Sequence, residues 1–174
     1  MILKFSCKNS MIINSHGPAM PAEFPHPDHF NTIQQGTLPG VLGVHVTAVG
    51  EDGLHATMAI TPAHMAPNGF LHAASIVTLA DSCCGYGCVS RLPTGASGFT
   101  TIELKSNHLG TALEGTLDCH ARPVHLGRTT QVWDATVSAN GKTLALFRCT
   151  QMVLWPKAGS VEFNEPSSRR AIEP

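Results

Sequence analysis

The chain has 174 residues, 43% hydrophobic and 13% charged, which is enough apolar content for one domain with a sizeable core and too little charge for global disorder. Lysine and arginine number 11 against 12 acidic residues, a formal net charge of −1, so bulk electrostatics points to neither a nucleic-acid nor a membrane partner. No run approaches the roughly 20 apolar residues needed to span a bilayer.

Residues 1–26 lack a continuous apolar signal core and read as an irregular N-terminal extension, with methionines at 11 and 20 as alternative starts. The expected domain covers 27–156. Residues 27–36 suit a short helix closed by Gly36, and Leu38–Gly40 turns the chain. Residues 42–49 read as a strand, 50–53 (GEDG) as a hairpin turn, and 54–60 as a half-buried strand that Pro62 ends. A long helix spans about 71–91, stopped by Pro93 and Gly95. Four strands follow at 98–108, 114–123, 129–139 and 143–154. Asn140-Gly141 is a strong hairpin signal, and PVHLGR at 123–128 is a less regular connection. Residues 157–174 form a polar tail. Two strands, one long helix and four consecutive strands predict an α+β domain in which a curled antiparallel sheet wraps the helix.

The cysteines sit at 7, 83, 84, 88, 119 and 149, with two adjacent and three on one helix, which is no disulfide framework. Reduced, buried thiols in a cytoplasmic protein are expected. Neighbouring helix positions diverge by about 100°, so Cys83, Cys84 and Cys88 are poorly placed to chelate one metal ion. The ten histidines are scattered and form no HxxxH or HExxH pair.

The long helix is apolar almost all round and carries a single carboxylate, Asp81, between Ala80 and Ser82. A buried charge needs a partner or a task. Asp81 is either a carboxylate satisfied by strand hydroxyls or backbone N–H groups, or a reactive group. Pro67-Asn68-Gly69 precedes the helix and His72 opens it, followed by Ala73 and Ala74. The first N–H groups of a helix lack internal partners and carry partial positive charge, a ready place for a developing oxyanion. The plain alternative is an ordinary turn with two well-packed alanines. Asp81 follows His72 by nine residues, about 2.5 turns and about 13 Å of rise, so the two side chains point to opposite sides of one helix. If they act together, His72 of one chain faces Asp81 of another, which predicts a symmetric dimer with two composite sites.

Residues 38–154 resemble the hotdog-fold acyl-CoA thioesterases, in the branch with phenylacetate-pathway and 4-hydroxybenzoyl-CoA enzymes. The family pattern H-x-N/Q-x-x-G-x-x-H-G-G, then a carboxylate nine residues on, reads here as His64, Ala66, Gly69, His72, Ala73, Ala74 and Asp81. The segment PVHLGRTTQVWDATVSANGKTLALFRCTQMVL is similar to the family's last two strands. The chain departs from the pattern at Ala66, at Ala73-Ala74, and at Gly85, where some relatives carry Ser or Thr.

The resemblance implies a hotdog fold and hydrolysis of acyl-CoA to free acid and CoA, with no cofactor or metal. Asp81 would be general base or nucleophile. The Ala73 N–H would polarise the thioester carbonyl, His72 would help hold it, and Thr101 would orient water. Asn68, Gly69, His125, Gly127 and Arg128 would contact substrate, the last three at coenzyme A. The protein would be a homodimer or a dimer-of-dimers tetramer. A non-catalytic acyl-CoA sensor or carrier, and a hotdog hydratase or dehydratase, are the competing readings. Phe70, Tyr86 and Phe99 are either an aromatic acyl pocket or core.

Overall fold

The computed structural model describes residues 23–156, so the readings placed on 1–22 and 157–174 lie outside the described residues. Residues 23–26 carry no helix or strand. Helix α1 spans Pro27–Ile33, with proline in its first turn, where its missing N–H is no loss, and the His26 ring accepting the Asp28 N–H at its start. Where the sequence predicts a simple turn, Leu38–Val41 makes one helical turn, α2, with Pro39 again near its start.

Strands β1 (Val44–Gly50) and β2 (Gly53–Ala59) form the expected hairpin, with β1 two residues later than predicted. A single 3₁₀ turn, Pro62–His64, lies between β2 and the long helix α3 (Ala73–Ser90). Four strands follow: β3 (Gly98–His108), β4 (Thr116–Leu126), β5 (Thr130–Ala139) and β6 (Lys142–Leu154). Asn140 and Gly141 both take positive φ, 50° and 73°, as a tight two-residue hairpin requires.

All six strands form one antiparallel sheet in the order β1-β2-β4-β5-β6-β3. The strand after α3 therefore lands at the far edge, beside β6. The irregular connection predicted at 123–128 is mostly strand. β4 continues through Pro123 to Leu126 because a bulge between Pro123 and His125 absorbs the missing N–H.

Helix α3 lies on the inner face of the sheet. Its Ile76, Leu79, Ala80, Cys83, Cys84 and Cys88 bury against Leu54, Ala56, Met58, Leu117, Ala121, Trp133 and Val137. Strand alternation supplies that face: in β5, Gln131, Trp133, Ala135, Val137 and Ala139 are buried and the residues between them half-buried. Two glycines let large rings approach the helix. A Cβ on Gly87 would sit 2.6–3.0 Å from three atoms of the Trp133 ring, and one on Gly85 would sit 3.2 Å from Phe99. The Trp133 indole N–H donates to Gln131, whose amide donates to the Arg91 carbonyl just past the helix end. Cys83, Cys84, Cys88, Cys119 and Cys149 are buried free thiols. Among the described residues, no helix is long and apolar enough to cross a membrane.

Candidate active site

The entry to α3 is held by His64, which is 3% exposed. Its Nδ1 accepts the Thr61 N–H (2.9 Å), and its Nε2 donates to the Leu42 carbonyl (2.9 Å). Its own carbonyl accepts both the His72 N–H and the Ser75 hydroxyl, each at 2.9 Å. His64 thus ties the end of α2, the 3₁₀ turn and the helix start together. Between them, Ala66 and Phe70 close a turn in which Gly69 takes φ +82° and the Asn68 side chain accepts the Phe70 N–H. A glycine suits that left-handed position.

His72 is the N-cap of α3. Its Nδ1 accepts the Ala74 N–H (2.9 Å), so in the neutral ring the proton is on Nε2, which faces away from the cap. The Ser75 N–H goes to the His72 carbonyl. The Ala73 N–H has no acceptor among the described residues, and Ala73 is exposed. One N–H at the positive end of an 18-residue helix is therefore open to a carbonyl from outside.

Asp81 sits in the middle of α3, half-buried. Its Oδ1 is shut off from solvent and has no hydrogen-bond partner among the described residues. Desolvation raises its pKa above the ordinary aspartate value. It lines a pocket of about 290 Å³ with Ile33, Pro39, Tyr86, Val89, Phe99 and Thr101. Helix α1 builds one wall: Phe30 is fully buried and stacks on Tyr86, centroids 4.9 Å apart, and the Tyr86 hydroxyl donates to Gln34. Of the aromatic candidates, Tyr86 and Phe99 line this pocket, whereas Phe70 is exposed and does not.

The structure thus brings Asp81 and Thr101 together, and gathers Asn68, Gly69, His72 and Ala73 at the helix entry. His125 lies near the end of β4, Gly127 and Arg128 are in the β4–β5 turn, and none of the three lines the Asp81 pocket. The Arg128 guanidinium lies over Trp155, 4.8 Å from its ring centroid. Gln151 is a polar feature that sequence pattern missed. It is fully buried on β6, in register with Thr101, and both polar atoms of its amide lack partners among the described residues. Its only sequence signal is a glutamine at an inward position of an apolar strand.

A curled antiparallel sheet wrapped on one helix, with an unpaired carboxylate inside it and an open N–H at its start, defines a hotdog-fold protein. Residues 68–146 match the model of the thioesterase superfamily. The chain is 32% identical to an esterase of Pseudomonas aeruginosa, PA1618, over 78% of this chain and 93% of that protein. It is 30% identical to the 1,4-dihydroxy-2-naphthoyl-CoA hydrolase of Escherichia coli over 71% of this chain and 91% of that protein. The crystal structure of a mutant of thioesterase PA1618 from P. aeruginosa matches with a TM-score of 0.73 and 30% identity, covering 76% of this chain and 96% of that one. The chain belongs to the thioesterase superfamily and is a thioester hydrolase.

Proposed function

We propose that the protein hydrolyses acyl-CoA thioesters to free acid and CoA. The observation that carries this reading is the Asp81 carboxylate oxygen, buried without a partner in an apolar pocket that also contains Thr101. A carboxylate so placed is a stronger base than one in water. It either takes a proton from water as the water attacks the thioester carbon, or attacks that carbon itself to give an anhydride that water then cleaves. In both routes CoA leaves as thiolate and is protonated from solvent. Thr101 orients the water, the Ala73 N–H receives the carbonyl oxygen as it gains charge, and the His72 Nε2–H supports it. Neither route requires a metal or cofactor.

His72 and Asp81 are on opposite sides of α3, so the site is composite: the helix entry of one chain faces Asp81 of a second. Strand β3 supports this pairing. Among the described residues it ends the sheet, pairs with β6 alone and exposes Ile102 (55%) and Leu104 (46%). The assembly is a homodimer or a pair of dimers. The name of the E. coli relative favours a CoA-linked aromatic acyl group, and Tyr86 and Phe99 suit one. Asn68 and Gly69 edge the entry to the carbonyl site. Arg128 pairs with a CoA phosphate, and His125 and Gly127 flank it; a guanidinium lying over Trp155 is held in place for that contact. Five buried free thiols agree with a cytoplasmic location.

Thiol release from phenylacetyl-, hydroxybenzoyl-, hexanoyl- and palmitoyl-CoA, with wild type beside Asp81→Ala, tests the reading. Turnover that disappears in the variant is the expected result. Binding of these esters with no hydrolysis of any would overturn it.

A further inference from the structure

The face of the sheet turned away from α3 holds three metal-ligating side chains in one place. In β2, Leu54, Ala56 and Met58 bury toward the helix, so His55 points outward. In β4, Leu117, Cys119 and Ala121 do the same, so His120 points outward. β2 and β4 pair with His55 directly opposite His120, and their rings stack with centroids 3.8 Å apart and planes 17° from parallel. Asp52, in the β1–β2 turn, lies over both. Its Oδ2 is 3.2 Å from His55 Nε2 and 3.8 Å from His120 Nε2.

We propose that Asp52, His55 and His120 bind one borderline-soft divalent cation of the zinc, nickel or copper(II) class, at a site separate from the thioester pocket. The donor atoms lie within 4.8 Å of one another. Tetrahedral zinc, with bonds of about 2.0–2.1 Å, needs donors about 3.3 Å apart. The Asp52–His55 edge meets that spacing. The longer edges close with small rotations of side chains that are 38%, 30% and 68% exposed at His55, His120 and Asp52. Two imidazoles and one carboxylate select these metals over magnesium or calcium, which prefer all-oxygen shells. Three protein donors leave a fourth position to water.

The turn that carries Asp52 is braced from two sides. The Arg91 guanidinium donates to the Gly50 and Glu51 carbonyls, at 2.9 and 2.8 Å. Gly53, at φ +126°, lies where any Cβ would collide with the Ala121 carbonyl, so only glycine lets the turn settle onto β4. His120 Nε2 donates to the Asp52 carbonyl (3.1 Å), which orients its ring edge toward the turn. On cation binding each ring carries its proton on Nδ1 and offers the Nε2 lone pair. Thr47, Thr57, Thr136 and Ser138 line the hollow beside the rings; Arg122 borders it as an opposing charge and Asp118 as a favourable one.

The full chain is titrated with Zn²⁺ by calorimetry at neutral pH under a non-chelating reductant, beside His55→Asn, His120→Asn and Asp52→Asn. The expected result is one equivalent bound by wild type that both histidine variants lose, and that Asp52→Asn binds about tenfold or more weakly. Zn²⁺ should raise the melting temperature of wild type and leave the histidine variants unmoved, while Mg²⁺ does neither. A Co²⁺ titration adds a readout independent of stability: visible bands of a four-coordinate site in wild type, absent in the histidine variants. No uptake by wild type, or the same uptake in all three variants, overturns the proposal.

Discussion

Asp81 and Thr101 face one pocket from different elements, the first from the middle of α3 and the second from β3. The register that places Thr101 there is set at its own position: it pairs with Gln151, and the next step along β3 is a bulge before Glu103. A one-residue slip would turn Thr101 away from the helix. The pair is therefore a product of sheet register as much as of the helix sequence.

Asp81→Asn is expected to lower turnover by about 10²–10⁴-fold, the usual worth of a general base. Because burial raises the Asp81 pKa, the acidic limb of kcat/KM in wild type should lie above the ordinary aspartate value, with activity lost as pH falls through it. The stability sign runs the other way. The folded chain holds this proton more tightly than the unfolded one, so ionisation costs stability as pH rises through the window between the two values. Asp81→Asn removes that cost and should melt no lower than wild type at neutral pH. Near-wild-type hydrolysis by the variant would remove Asp81 from the mechanism.

His72 caps the helix as well as facing the proposed carbonyl site, and two substitutions separate these roles. His72→Ala orphans the Ala74 N–H and should cost about 0.5–2 kcal/mol in thermal or urea unfolding. Asparagine is itself a good N-cap, so His72→Asn should keep the stability. Both variants should lose turnover per folded molecule. An asparagine variant as active as wild type would reduce His72 to a cap.

A composite site predicts complementation. When Asp81→Ala and His72→Ala chains are co-expressed and assort at random, half the dimers are mixed, and each mixed dimer has one site with both residues intact. Activity should recover to about a quarter of wild type. No recovery, with mixed dimers demonstrated by differential tagging, would place the two residues in separate roles.

The helix and its carboxylate were legible in the sequence because both are local signals: an apolar run between caps, and one charge out of place within it. The β5–β6 hairpin was legible for the same reason, since Asn140-Gly141 states its own backbone geometry. Features that depend on pairing were not. β4 extends through Pro123 only because a bulge accommodates it. His55 and His120 meet only because β2 pairs with β4, and their spacing in sequence matches no ligand motif. Gln151 reads as an oddity in an apolar strand until register sets it beside Thr101. The family departure at Gly85 also gained a physical reason, because the Phe99 ring lies over that position.

Gly87→Ala tests how tightly α3 sits on the sheet. An alanine in a helix interior gains up to about 1 kcal/mol over glycine. Here the new methyl would meet three atoms of the Trp133 ring at 2.6–3.0 Å, and that ring is fully buried and tied to Gln131. Overpacking of this kind costs about 1–3 kcal/mol, so the net effect should be destabilising. The melting temperature should drop by about 2–4 °C for each kcal/mol lost. An unchanged or higher value would mean that the indole shifts without cost.

The buried thiols report on the same packing from the chemical side. Cys83 neighbours Cys119, and Cys84 neighbours Cys149, across the junction of α3 and the sheet. Burial drives the Cys83 thiol well up, the adjacent Cys149 and then burial drive Cys84 well up, and burial pushes Cys88 to about 12, so the Cys88 thiolate fraction at pH 8 is on the order of 10⁻⁴. Cys7 lies outside the described residues and is removed as Cys7→Ser. That variant should then show no fast-reacting thiol when native, and should react at Cys83, Cys84, Cys88, Cys119 and Cys149 once denaturant separates α3 from the sheet. Rapid labelling of any of these in the native protein, located by peptide mapping, would show that the helix leaves the sheet far more readily than its burial implies.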